Sequence, residues 1–225
     1  MIPLGIDTHL FRPGPKDKQI MKKLDLKKED INILFTGRLI YDKGIEDLIY
    51  AFYMLRKKHD NVNLLILGRG KLRKKIDSLI ERFDLKDSVQ YLGFLTHPET
   101  PRYYKTADIF CTPCRITPYW QEQFGFVFAE AMACGKAIVS TYSGSIPEVT
   151  GGNAVLVPPG NHLELYQALD KVVSDKRFRK ELGRKARDHA VKTFSCEVVT
   201  AKRLKVYEKV YSEHKRSLIG QPVKG

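Results

Sequence analysis

The sequence predicts an α/β protein built on a doubly wound parallel sheet, and three observations carry that prediction. Short apolar runs rich in Ile, Leu and Val alternate with longer amphipathic ones, the pattern of a parallel sheet covered by helices. A length of 225 residues, with 43% hydrophobic and 29% charged residues, suits one well-buried domain with a tail. No internal repeat or low-complexity segment interrupts the alternation.

Taken in order, the first strand is expected at residues 31–35 and is followed by a helix over 45–58. A second strand at 62–67 leads to a helix over 72–83, where Leu72, Ile76 and Leu79 recur at helical spacing between basic residues. Strands at 89–92 and 109–112 flank a short helix at 101–106. Residues 126–134 lack proline and glycine and carry Ala129, Ala131, Met132 and Ala133, which favours a helix. Strands at 137–140 and 154–157 enclose a short turn at 145–149. Three helices close the chain, over 163–174, 178–192 and 197–213. The last has apolar residues at Val198, Val199, Ala201, Leu204, Tyr207, Val210 and Tyr211, more than one face can hide, and only the tail beyond Lys215 looks loose.

The net charge of +13 attracts polyanions, anionic membranes and phosphorylated ligands, but it is spread along solvated helix faces. No aromatics interleave with it, so a nucleic-acid partner is not expected. No apolar run reaches the length of a membrane span, and Met1-Ile2-Pro3 lacks the charged and apolar regions of a secretory signal. Cys111, Cys114, Cys134 and Cys196 lie in or beside apolar segments, which suits a reducing cytosol better than disulfides. Cys111-Thr-Pro-Cys114 has redox spacing, yet Cys111 ends a buried strand and no second pair or histidine completes a zinc set, so no metal is expected.

A doubly wound sheet binds ligands at the carboxyl ends of its strands. The loop after the first strand reads TGRLIYDKG, with Gly37, Arg38 and Lys43 at that edge, and its two cations suit a diphosphate. A structural ion pair at Arg38 and a solvated helix-start lysine at Lys43 are the plainer alternative. The stretch EQFGFVFAE places Glu122 and Glu130 eight positions apart, a span of at most ~12 Å if helical. Glu130 is the one charged residue between Phe124 and Cys134, and a buried carboxylate needs a partner or a ligand. Gly125 stands at the mouth of the expected helix, whose free N–H groups offer a phosphate seat. The Phe126, Val127 and Phe128 cluster reads as core packing.

These parts coincide with a family. From Pro3 to Tyr211 the chain resembles the C-terminal, nucleotide-sugar-binding half of retaining glycosyltransferases of the GT-B fold, glycosyltransferase family 4 or group 1. The resemblance rests on IPLGIDTHLFRP, TGRLIYDKG, LGRG, VQYLGFL, ADIFCTPC, EQFGFVFAEAMACGKAIV, GSIPEV and AVLVPPGN standing in family order. It implies a Rossmann-like domain over 15–194, preceded by a segment 1–14 arriving from an N-terminal domain. A crossover helix at 195–215 and a flexible tail at 216–225 would follow. It also implies that Arg38 and Lys43 hold the donor diphosphate, Glu122 the sugar hydroxyls and Glu130 the ribose. Backbone N–H groups of Phe124, Gly125 and Phe126 would face sugar and phosphate, and the base would lie along Gly93, Phe94 and Leu95. Catalytic roles fall to Arg38, Lys43 and Glu122; the nucleotide sugar is a substrate, and no cofactor is implied.

The acceptor implied is a polysaccharide, glycolipid or glycan, met in the cytoplasm or peripherally at the inner membrane face. The acceptor-binding half of a GT-B enzyme is not in this sequence, so the resemblance implies a partner domain in cis or trans. A nucleotide-sugar-binding or assembly subunit without turnover is the alternative. Ser145 stands where the family often has glycine, and Cys196 where it often has tryptophan; neither touches the implied donor site.

Overall fold

The computed structural model describes residues 2–219. Its sheet has six strands: β1 (Ile31–Thr36), β2 (Val62–Leu67), β3 (Val89–Gly93), β4 (Ile109–Cys111), β5 (Ala137–Thr141) and β6 (Val155–Val157). All neighbours run parallel, in the order β3-β2-β1-β4-β5-β6. The order reverses between β1 and β4, the switch point at whose carboxyl edge such sheets bind ligands in a crevice. Among the helices are α1 (Lys18–Lys23), α2 (Ile45–Arg56), α3 (Arg73–Arg82), α4 (Thr100–Thr106) and α5 (Phe126–Ala133). After them come α6 (Ile146–Thr150), α7 (His162–Ser174), α8 (Lys176–Phe194) and α9 (Cys196–Ile219).

The strand pleat sorts side chains between two cores. Ile33, Phe35, Ile109 and Cys111 face the core shared with α2, α3 and α7. Leu34 and Phe110 face the opposite one, built from α5, α8 and the ring of Tyr104. Strands buried on both faces read as near-continuous apolar runs, which is why all six were recognisable from sequence.

Three features depart from the sequence expectation. Helix α1 was not anticipated, because its only buried residue is Ile20. It is started by Asp17, whose carboxylate accepts from the N–H groups of Gln19 and Ile20 and from Arg102 Nε at 2.8 Å. The Arg102 guanidinium holds that carboxyl below its ordinary value. The leading segment is packed into the domain: Ile6 and Phe11 are buried, Ile6 N–H donates to Phe194 O at 2.7 Å, and Cys196 N–H donates to Ile6 O at 3.1 Å. Helix α9 runs on through Ile219, so residues 216–219 of the expected tail are helical, while 220–225 lie outside the described residues. Of its described side chains only Val199 is buried; Leu204, Val206, Tyr207, Val210 and Tyr211 are exposed. No helix among the described residues is long and apolar enough to cross a membrane.

At the crevice the loops after β1 and β4 touch through backbone. Gly44 is left-handed (φ 65°), and a Cβ there would lie 1.8 Å from Pro113 O. Gly44→Ala is therefore expected to cost about 2–4 kcal/mol, from backbone strain plus collision with a carbonyl. Gly160→Ala shares the positive φ but meets nothing within 4 Å, so it should cost only about 1 kcal/mol. Urea unfolding of the two variants measures the difference.

Candidate active site

Lys43 ends a tight turn, Tyr41–Lys43, after β1. Its Nζ lies 2.5 Å from Glu122 Oε2, and both side chains are largely buried. The ammonium also sits 4.6 Å from the centre of the Trp120 ring. Cys114 Sγ donates to the same Glu122 oxygen at 3.4 Å, and burial pushes this thiol up, so it remains a donor. The Glu122 carbonyl accepts from Ser145 N–H at 2.9 Å, so Ser145, expected from sequence to stand clear of the implied donor site, touches it through its backbone. A cation and a thiol thus fix one carboxylate, while the Trp120 ring steadies the cation and the Ser145 amide holds the Glu122 backbone.

Arg115 fastens the surrounding loops. Its Nε donates to Asp47 Oδ2 at 2.6 Å and its terminal nitrogen to Asp47 Oδ1, a bidentate pair that keeps the guanidinium charged. Its N–H donates to Asp42 O at 2.8 Å, its guanidinium lies 4.2 Å from the Tyr41 ring centre, and its carbonyl accepts from Ser143 Oγ at 3.0 Å. One residue from the loop after β4 therefore holds both the turn carrying Lys43 and the loop after β5 that supports Glu122.

Beside this pair a cavity of about 510 Å³ runs over the ends of β1 and β2, bounded by Gly37, Arg38, Phe94, Leu95 and Glu130 among others. Glu130 is buried in the second turn of α5 and accepts from Tyr104 Oη at 2.9 Å. Burial, reinforced by the neighbouring carboxylate, pushes the Tyr104 phenol well up, so it stays a donor. Phe94 is exposed, with the Arg69 guanidinium 4.7 Å from its ring centre.

Arg38, Gly37, Phe94, Leu95 and Glu130 meet in this cavity, whereas Glu122 lines a different one with Gln123, and Lys43 bridges toward it. The two cations differ in kind. Lys43 is tied to Glu122, while Arg38 is exposed and has no side-chain partner among the described residues. Gly125 caps α5 in a left-handed conformation; Phe128 N–H donates to its carbonyl at 2.9 Å, and the N–H groups of Phe126 and Val127 at the helix start have no backbone partner within the helix. The aromatic cluster is not all core: Phe128 is fully buried, but Phe126 is 46% exposed and leans edge-on against Phe124, which packs on Phe194. Its position at the mouth of α5, ahead of the first buried turn, leaves no layer above it. Cys111 and Cys114 are buried free thiols pushed up by burial. No three His, Cys, Asp or Glu side chains among the described residues are grouped to hold a metal ion.

Tyr104, Trp120, Cys114 and the Arg115–Asp47 pair escaped the sequence reading. Trp120 had a visible signal, its place two positions before Glu122. The others are joined to the site only by folding.

Residues 16–189 match the family described as glycosyl transferases, group 1. This chain belongs to that family. It is 27% identical over 205 residues to a GDP-mannose-dependent phosphatidylinositol monomannoside mannosyltransferase of Mycobacterium tuberculosis, with 89% of this chain and 53% of the relative covered. The C-terminal domain of a group 1 glycosyl transferase from Francisella tularensis superposes with a TM-score of 0.75 at 24% identity, covering 85% of this chain and 100% of that one. The Anabaena protein HepE in complex with UDP gives 0.79 at 24% identity, covering 92% and 56%. The fold is thus that of a GT-B C-terminal, Rossmann-like domain, and the chain spans about half the length of the curated relatives it matches.

Lys43→Ala strands the buried Glu122 carboxylate and should lower stability by about 2–4 kcal/mol. Arg38→Ala removes an exposed, unpaired side chain and should leave the thermal midpoint unchanged. Thermal unfolding of the two variants checks the contrast.

Proposed function

We propose that this chain is the donor-binding domain of a retaining glycosyltransferase. It takes a sugar from a UDP-, GDP- or ADP-sugar and passes it to a polysaccharide, glycolipid or glycan acceptor. The observation that carries the reading is the placement of the Lys43–Glu122 pair and the Glu130–Tyr104 pair around the crevice, with Arg38 at its mouth. The cavity volume suits a nucleotide. HepE's complex with UDP and the GDP-mannose dependence of the mycobacterial relative support a nucleoside diphosphate sugar as donor.

In this reading Glu130, aimed by Tyr104, accepts from the ribose hydroxyls, and the base lies along Phe94 and Leu95. Arg38 and Lys43 neutralise the charge that grows on the departing diphosphate, aided by backbone N–H groups at Phe124, Gly125 and Phe126. A phosphate reaching Lys43 shares it with Glu122, which turns its other oxygen to the sugar hydroxyls. Glu122 is already engaged by Lys43 and Cys114, which favours an acceptor role over that of a covalent nucleophile. Retention then follows from same-face attack, with the leaving phosphate oxygen taking the acceptor proton. Transfer needs an acceptor-binding half in cis or trans, and the exposed apolar side of α9 offers it a surface. The working site is the cytoplasm or the inner membrane face, where a net charge of +13 favours anionic lipids.

Calorimetric titration with UDP, GDP and ADP tests the donor site directly. A charged hydrogen bond contributes about 1.5–3 kcal/mol, so Arg38→Ala should weaken diphosphate binding by roughly tenfold or more. Lys180→Ala, on exposed α8, should not. Unchanged binding in Arg38→Ala would remove the diphosphate from this crevice.

The same titration separates the carboxylates. Glu130→Gln should weaken nucleotides with an intact ribose more than their 2′,3′-dideoxy forms, and Glu122→Gln should reduce the preference for nucleotide sugar over bare diphosphate. Equal losses across all ligands would make both residues structural.

A further inference from the structure

Behind Glu122, away from the nucleotide cavity, lies a second cavity of about 750 Å³ bounded by Thr117, Tyr119, Trp120, Gln121, Glu148 and their neighbours. The two cavities share no lining residue. One wall is a tight hairpin in which Thr117 and Trp120 exchange backbone hydrogen bonds of 2.9 and 3.3 Å, leaving Pro118 and Tyr119 as the turn. That rigid turn holds Tyr119 98% exposed, while Trp120 stays half-buried beneath Lys43. Tyr119 thus presents a free aromatic face at the edge of a cavity whose other wall is polar.

The lining chemistry narrows the ligand. Among the described residues of the lining the charges are Glu122, already paired with Lys43, and Glu148, so the cavity offers a phosphate or carboxylate no cation of its own. The apolar surface is Tyr119, Trp120 and Pro118, and beside it stand Gln121, Gln123, Thr117 and Ser145, planar amides and hydroxyls that both donate and accept. An aromatic face beside amides and carboxylates matches a ring with an apolar C–H face and a rim of hydroxyls. We infer that the 117–120 hairpin and this cavity seat a neutral hexopyranoside ring of the acceptor, stacked on Tyr119. The inference rests on the donor reading, since Glu122 places the transferred sugar next to this seat.

Trp120 is the only tryptophan in the chain, so its fluorescence comes from this wall; because its ring also touches Lys43, the nucleotide's own signal is recorded first and the glycoside is titrated at fixed nucleotide. The full chain is titrated with methyl α- and β-pyranosides of glucose, mannose, galactose and N-acetylglucosamine, with and without saturating UDP or GDP. Saturation-transfer NMR follows the same samples independently. At least one glycoside should give a saturable change in the millimolar range, to about 50 mM. Tyr119→Ala should weaken it by about fivefold or more while leaving nucleoside diphosphate binding unchanged, because Tyr119 is solvent-exposed and lies outside the nucleotide cavity. Tyr207→Ala, an exposed tyrosine on α9, is the control and should bind like the parent. Nucleotide binding with no saturable glycoside overturns the seat and leaves the donor reading standing. Glycoside binding indifferent to Tyr119→Ala overturns it as well. Displacement of the glycoside by UDP-glucose or GDP-mannose, where bare UDP or GDP does not displace it, would make this the donor sugar's place and not the acceptor's. Failure of UDP, GDP and ADP to bind sinks the donor reading, and Tyr119-dependent glycoside binding in that same chain would still establish a sugar seat.

Discussion

Backbone meets backbone along the crevice between β1 and β4, and the rest of the site depends on that contact. Gly44 lies against the Pro113 carbonyl, and Gly144 lies so close to the Glu122 carbonyl that a Cβ there would stand 2.0 Å from it. Such approaches leave no room for side chains between loops, so the groups that the loops display converge. Lys43 and Glu122 are 79 positions apart and meet at 2.5 Å because these backbones are in register. Arg115 adds a charged clamp, pairing with Asp47 on α2 while its own backbone ties the neighbouring loops. Preorganisation of this kind lets fixed charges act without reorganising when new charge appears.

The two cations serve that end differently. Lys43 is held in place by a carboxylate and an indole, so its position is determined before any ligand arrives. Arg38 stands exposed at the cavity edge with its conformational freedom intact, and it loses side-chain entropy only when a partner engages it. In the proposed reading, the fixed cation sets where a diphosphate sits and the exposed one is ordered only as it binds.

Much of this was legible in the chain. All six strands announced themselves as apolar runs because both sheet faces are buried, and the loops that follow them carried the candidate residues at the edge where such sheets bind ligands. Glu130 stood out as a lone charge in an apolar helix. What the sequence did not show was pairing. Nothing local links Tyr104 to Glu130 or Arg115 to Asp47, since those contacts arise from helices and loops brought together by the sheet. Helix α1 was invisible for a simpler reason: with one buried residue it has no apolar period, and its start is written in Asp17 alone. The coupling of Lys43 to Glu122, in place of two independent roles, likewise needed the fold.

The chain enters and leaves the domain at one corner. Ile6 lies between Phe194 and Cys196, bonded to both through its own peptide group, so the incoming strand segment and the root of α9 are two hydrogen bonds apart. Mechanically, the two segments are joined here, so a pull on either one is carried into the other through the Ile6 backbone.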